Sequence, residues 1–332
     1  MVNIKKILII RLRFIGDIVL TTPLIESIKK AYPTARLYYL AEAPYIEILK
    51  ENPYLDKLLI CKKGNIFNSL STILNVRKEK FDIVIDLFGN PRSALITYLS
   101  GAKIRLGWNL RGRRYAYNTI IKSHILKKNA LDVYQNVLDT IGIKGATQKT
   151  KVYLSKEEKK YAFNFLKTKG INFNKKIIGI HPGASWPAKM WQKEKFVSLG
   201  EKILKLKGQV IVFGGPKDKE VIEYVYNSMK IKPILVSDFS LREFSSILSM
   251  CDLFITNDNG PMHIAIALNV PTIAIFGPSE PDIWFPYRSK KFKFIKKDVI
   301  CWPCKRDFCD DLKCMEKIKV SEVFNLVKKL WI

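Results

Sequence analysis

Four stretches of the chain set chemically able side chains just beyond an apolar run. The first is RLRFIGDIVLTTP, residues 11–23, which follows Ile7, Leu8, Ile9 and Ile10. A dinucleotide-binding turn would carry several glycines there, so that backbone amides could close on a pyrophosphate. This turn has one, Gly16, with Asp17 directly behind it. A carboxylate so placed can accept the proton of an attacking hydroxyl. It can equally be an acid at a helix start, stabilised there by less than about 1 kcal/mol. The second stretch, TNDNGPMHIAIAL (256–268), reads as a helix start with Pro261 in its first turn and Gly260 permitting close backbone approach. The amides of Met262, His263 and Ile264 would then face an anion such as a diphosphate. The plainer reading is an ordinary helix capped by Asp258 or Asn259, with His263 a structural histidine. The third, HPGASWPAKMW (181–191), offers the Ser185 hydroxyl and the Lys189 ammonium, a compact charge suited to a departing phosphate. The fourth, FGGPKD (213–218), offers Asp218 to a ribose hydroxyl, or is a glycine turn and no more.

These loops need a scaffold, and the hydrophobic pattern supplies one. Apolar runs at 5–11, 35–40, 57–62, 81–87 and 102–107 predict strands in the first half. Runs at 177–183, 209–215, 233–236, 253–258 and 271–277 predict a second series. Continuous apolar strands separated by amphipathic helices, such as 23–33, mean parallel sheets covered on both faces. The charged helical stretch 154–176 separates the two series. The expected organisation is a Rossmann-like domain at 1–153, a linker helix at 154–176 and a second Rossmann-like domain at 177–332. Ligands of such sheets sit at the carboxyl ends of strands, where all four loops fall.

The 332 residues are 48% hydrophobic, which predicts a globular chain long enough for two cores. The apolar run after Lys5 and Lys6 stops at Arg11, too short for a signal-peptide core, and nothing approaches the roughly 20 apolar residues of a membrane helix. A cytoplasmic protein is expected. Lys and Arg number 57 against 30 Asp and Glu, a net charge of +27 divided evenly between the halves. Such a field favours anionic partners. A nucleic-acid-binding protein is the reading from another class, but no recognisable module or stacking platform accompanies the charge. A Rossmann oxidoreductase is disfavoured by the missing GxGxxG. Cys301, Cys304, Cys309 and Cys314 have a spacing that matches neither a paired zinc ribbon nor a ferredoxin run, and no acidic pair is placed to hold a divalent ion with a nucleotide. One CxxC with two further thiols could still hold zinc or an iron–sulfur cluster, but no metal needed for the chemistry and no cofactor are expected.

Taken in order, IGDIVLTTPLIESIKKAYPTARL, HPGASWPAKMW, FGGPKD and TNDNGPMHIAIALNVPTIAIFGPSEP resemble the heptosyltransferases of glycosyltransferase family nine, which build the inner core of lipopolysaccharide. The likeness runs over nearly the whole chain. It implies an α/β chain of the GT-B fold, two doubly wound Rossmann-like domains facing across a cleft. It implies an inverting transfer of heptose from ADP-heptose to a lipopolysaccharide precursor; another nucleotide sugar and glycan acceptor is the nearest alternative. By the same resemblance Asp17 is the base, Lys189 lies near the donor phosphates and sugar, and Asp258 holds sugar hydroxyls. The amides after Gly260, including those of Met262 and His263, face the diphosphate. Ser185 falls near a phosphate-binding hydroxyl, Asp218 near the ribose and Phe239 where the adenine is contacted. Met190 departs from the family, standing where an arginine often follows the lysine. The basic stretch 108–128 puts Arg111, Arg113, Arg114, Lys122, Lys127 and Lys128 in the first domain, the expected place of the acceptor. A precursor carrying carboxylates and phosphates at an anionic inner-membrane surface suits that charge, with peripheral contact at its inner face.

Overall fold

The computed structural model describes residues 4–331 apart from 65, 122–128, 145–146, 288 and 305. Lys122, Lys127 and Lys128 therefore lie outside the described residues. The chain divides into two compact units, Met1–Tyr153 and Leu154–Ile332.

The first unit is built on strands β1 (Lys6–Ile10), β2 (Arg36–Ala41), β3 (Lys57–Ile60), β4 (Ile83–Asp86), β5 (Ile104–Gly107) and β6 (Thr119–Ile120). Its helices are α1 (Ile15–Leu20), α2 (Thr22–Ala31), α3 (Ile66–Lys78), α4 (Pro91–Leu99) and α5 (Ala130–Thr140). The strand order is β3-β2-β1-β4-β5-β6, with every pairing parallel. Apart from Lys6 at the start of β1 and Asp86 at the end of β4, these two strands are apolar, because helices cover both faces of the sheet. Ile73 and Val76 of α3 and Ile96 of α4 join Leu8, Ile10, Leu40 and Val84 in one buried cluster, so both helices cover the same sheet face.

The second unit carries β7 (Ile177–His181), β8 (Gln209–Phe213), β9 (Ile234–Val236), β10 (Leu253–Asn257), β11 (Thr272–Ile275) and β12 (Phe292–Ile295). Its helices are α6 (Lys156–Thr168), α7 (Lys193–Lys205), α8 (Lys219–Ser228), α9 (Leu241–Leu248), α10 (Gly260–Ala267), α11 (Pro281–Trp284), α12 (Lys313–Glu316) and α13 (Val320–Leu330). The order β12-β11-β10-β7-β8-β9 repeats the topology of the first unit, again all parallel. The stretch expected to be a linker belongs to this unit. Ser155 caps α6 reciprocally with Glu158, and Glu158 takes a two-pronged ion pair from Arg242 of α9 at 2.6 and 2.7 Å.

In each sheet the connections diverge at the central strand pair, β1/β4 in the first and β7/β10 in the second. That divergence opens a crevice beyond the carboxyl ends of the pair. Three of the four loops with chemical promise leave one of these strands, and the fourth follows β8.

Candidate active site

In the first unit, the loop after β1 carries Arg11, Arg13 and Asp17. α1 starts at Ile15, so Asp17 is the third residue of its first turn. One Asp17 oxygen pairs with Arg11, and the other accepts the Phe14 amide at 3.3 Å. Asp17 therefore does act on its own helix start, and its side chain stays 20% exposed. Arg11 also donates to the Leu87 carbonyl at 2.7 Å and lies over the Phe88 ring, tying the β1 loop to the loop after β4. That second loop is organised by Asp86. Its fully buried carboxylate accepts the amides of Phe88 and Gly89, the Ser93 hydroxyl and the Tyr117 hydroxyl, at 2.7–2.9 Å. Burial pushes the Asp86 carboxyl above its ordinary range in spite of these four donors.

Arg111 and Arg114 are exposed, and Arg113 is half-buried with its Nε buried and without a partner. The Nε atoms of Arg11, Arg13 and Arg92 are likewise buried and unpartnered. Four guanidinium groups in one unit thus keep unspent hydrogen-bond donors, which bulk water would have satisfied. Arg13 and Arg92 were not singled out in the sequence, where nothing distinguishes them from 55 other basic side chains.

In the second unit, the loops after β7, β10 and β11 meet on Asp258. This carboxylate is 4% exposed. Lys189 donates to its Oδ2 at 2.6 Å and Ser279 donates to the same oxygen at 2.5 Å. Lys189 sits in a single 3-10 turn, Pro187–Lys189, with its ammonium 4.6 Å from the centre of the Trp186 ring. Asn257 and Asn259 lock the geometry. Asn257 donates to Pro182 O at 2.7 Å and accepts the Trp191 amide at 3.1 Å, while Asn259 donates to Gly183 O at 2.9 Å. Neither asparagine, nor Ser279, was picked out as a site residue from sequence, because a short polar side chain signals only a loop.

Asn259 also changes the expectation for the helix start. Its side chain accepts the Met262 amide at 3.1 Å, so that amide is not free. Pro261 has no N–H, and the His263 amide lies within the helix ladder of α10. The donor of the first turn that can meet an anion is Gly260. The His263 side chain bonds the Tyr287 hydroxyl at 2.6 Å and is buried, a structural histidine.

Asp218 ends a turn after β8, where its carboxylate accepts the Gly215 amide at 2.9 Å. It also lies 3.5 Å from His181 Nε2. His181 is buried at the end of β7, with Nδ1 3.2 Å from Gly183 O, and burial holds its imidazole below the usual range against the pull of Asp218. Ser185 is exposed in the β7 loop, and Phe239 is half-buried with its ring edge-on to Phe165 of α6 at 5.1 Å. The structure thus joins Lys189 to Asp258 and Asp218 to the β7 loop. Among the described residues no group of three or more His, Cys, Asp or Glu side chains is arranged to hold a metal ion, and the four clustered cysteines do not form one. Cys301 is exposed, Cys304 and Cys309 are half-buried and Cys314 is buried.

Similarities to known proteins bear on the family and the fold. Residues 70–314 match the model of glycosyltransferase family 9 (heptosyltransferase). The sequence is 28% identical to lipopolysaccharide heptosyltransferase 1 of Campylobacter coli, over 98% of this chain and 99% of that one. It is 25% identical to lipopolysaccharide heptosyltransferase 3 of Escherichia coli, over 96% and 97%. The family 9 glycosyl transferase of Veillonella parvula superposes with a TM-score of 0.88 at 28% identity, covering 99% of each chain. E. coli ADP-heptose LPS heptosyltransferase II superposes at 0.83 and 23%, which bears on the fold alone. The fold is GT-B, built from two Rossmann-like sheets. With the family match spanning most of the sequence, the chain belongs to glycosyltransferase family 9 and is a glycosyltransferase.

Proposed function

We propose that this enzyme transfers heptose from ADP-heptose to a lipopolysaccharide precursor, with inversion, at the cytoplasmic face of an anionic membrane. The reading is carried chiefly by one observation, the buried Asp258 carboxylate with Lys189 and Ser279 on a single oxygen, two residues before Gly260. Among the described residues no hydrogen bond reaches Asp258 Oδ1, the oxygen offered to a sugar hydroxyl. Lys189 is an ammonium on a flexible stem that can turn from Asp258 to a departing diphosphate. The Gly260 amide adds a second donor to that group, and Ser185, Asp218 and Phe239 are assigned to the nucleotide end. Fixed donors of this kind stabilise the charge that develops as the bond to phosphate breaks.

The acceptor is assigned to the first unit. Its hydroxyl gives a proton to Asp17, its oxygen bonds to the anomeric carbon, and the bond from that carbon to the ADP oxygen breaks with the electron pair leaving on ADP. Arg111, Arg113 and Arg114 hold the anionic groups of the acceptor. Relatives bearing lipopolysaccharide heptosyltransferase names over nearly their full length support heptose as the group moved and lipopolysaccharide as the acceptor class. A thermal-shift screen of nucleotides tests the donor assignment. A ligand at about 100 times its Kd stabilises by about 2.7 kcal/mol. ADP should raise the melting temperature more than UDP or GDP, and an equal or larger rise with UDP or GDP would reject ADP-heptose.

A further inference from the structure

Helix α3 turns a row of apolar side chains to solvent. Phe67, Leu70 and Leu74 are 73%, 48% and 65% exposed, and their spacing puts them on one helical face. The opposite face, with Thr72, Ile73 and Val76, is buried against the sheet. On α4, Leu95 and Tyr98 are exposed as well, and the Tyr98 ring stands edge-on to that of Tyr115 at 5.8 Å. Arg77 at the end of α3 donates to Leu99 O at the end of α4, so the two helices lie side by side. Large apolar side chains left exposed on two adjacent helices of a highly charged chain call for a partner.

The charge around it says which. Neither α3 nor α4 contains an acidic residue. Between residues 61 and 120 there are eleven basic side chains and three acidic ones. All three acids are spent inside the fold: Asp86 is buried, Glu79 pairs with Lys6 and Lys57, and Asp82 accepts the Lys5 and Lys6 amides. Lys78 is exposed beside the apolar row, and Arg105 lies over the Tyr98 ring. A second copy of this chain would bring a net charge of +27 against the same sign.

We propose that the exposed faces of α3 and α4 form a docking surface for an anionic phospholipid bilayer. Phe67, Leu70 and Leu74 would enter the boundary between headgroups and acyl chains while the neighbouring cations meet lipid phosphates. The inference leans on the proposed function only in expecting a lipid-borne acceptor, so its test uses neither donor nor acceptor.

The purified full-length protein is sedimented with vesicles of phosphatidylglycerol and phosphatidylethanolamine, and separately with vesicles of phosphatidylcholine alone. Wild type should pellet with the anionic vesicles and stay in solution with the neutral ones. The triple variant Phe67→Ser/Leu70→Ser/Leu74→Ser changes only exposed positions and should lose about ten-fold or more in vesicle partitioning, at an unchanged melting temperature. Arg77→Gln/Lys78→Gln should weaken binding most at low salt. Wild-type partitioning by the triple variant would overturn the proposal. So would a wild-type dimer, seen by light scattering, that the triple variant converts to monomer, since the row would then be a self-association face. Failure of the same protein to turn over ADP-heptose in a separate assay, with vesicle binding intact, would reject the donor assignment and leave this surface standing.

Discussion

Asp17 holds two partners, and they separate its possible roles. One oxygen pairs with Arg11 and the other takes the Phe14 amide. Asp17→Asn keeps an oxygen for Phe14 but cannot take a proton from an acceptor hydroxyl. Transfer by this variant should fall by roughly two to four orders of magnitude, with ADP affinity unchanged. Near-normal turnover together with a lowered melting temperature would make Asp17 a helix-start residue only. His181 gives a prediction of a different kind. Its buried imidazole stays neutral below the value of about 6.5 that it would have in the unfolded chain. As pH falls through that value, the unfolded state binds a proton that the folded state refuses, so stability falls with pH. The stabilising contribution is whole above that point and is lost towards the depressed folded value. Melting curves at about pH 7.5 and about pH 5.5 should therefore converge more closely for His181→Gln than for wild type; parallel losses in the two proteins would exclude His181 as the source.

The loops take their shape from strand ends, and this is where sequence and structure can be compared. Ten strands were readable as apolar runs, because a buried parallel strand needs apolar residues on both faces. β6 and β12 were not. β6 is two residues long, and β12 (FKFI) alternates with lysine at a sheet edge inside a lysine-rich run, which hides it. The nearness of Lys189 to Asp258 was not readable from spacing, since 69 positions separate them and only the β7/β10 pairing brings them together. The Met262 amide was misjudged because either of two adjacent residues, Asp258 or Asn259, could have been the cap, and the choice of Asn259 decides which donors remain. Gly183 shows how tightly the β7 and β8 loops fit. A Cβ built there would lie 1.9 Å from Asp218 Oδ1 and 2.3 Å from its Cγ. Gly183→Ala should cost about 1–3 kcal/mol by overpacking and should blunt the thermal shift with ADP by displacing Asp218. A variant with wild-type stability and a wild-type ADP response would show that Asp218 has room to move and does not meet the nucleotide.

For the molecule as a whole, charge and topology answer different questions. The excess of +27 was plain in the sequence and pointed to anionic partners, but the buried guanidinium donors and the exposed face of α3 could be read only from the structure. Two sheets of one topology explain why the candidate residues of each unit sit beyond the central strand pair of that unit. Among the described residues no helix is long and apolar enough to cross a membrane. The central claim is the transfer itself, and release of ADP tests it most directly. The purified enzyme is given ADP-heptose with and without a heptose-free lipopolysaccharide precursor, and free ADP is followed with time. The account predicts ADP release that depends on the precursor and matches, mole for mole, the heptose gained by it. Intact ADP-heptose in the presence of the precursor, with turnover of a UDP- or GDP-sugar under the same conditions, would contradict it.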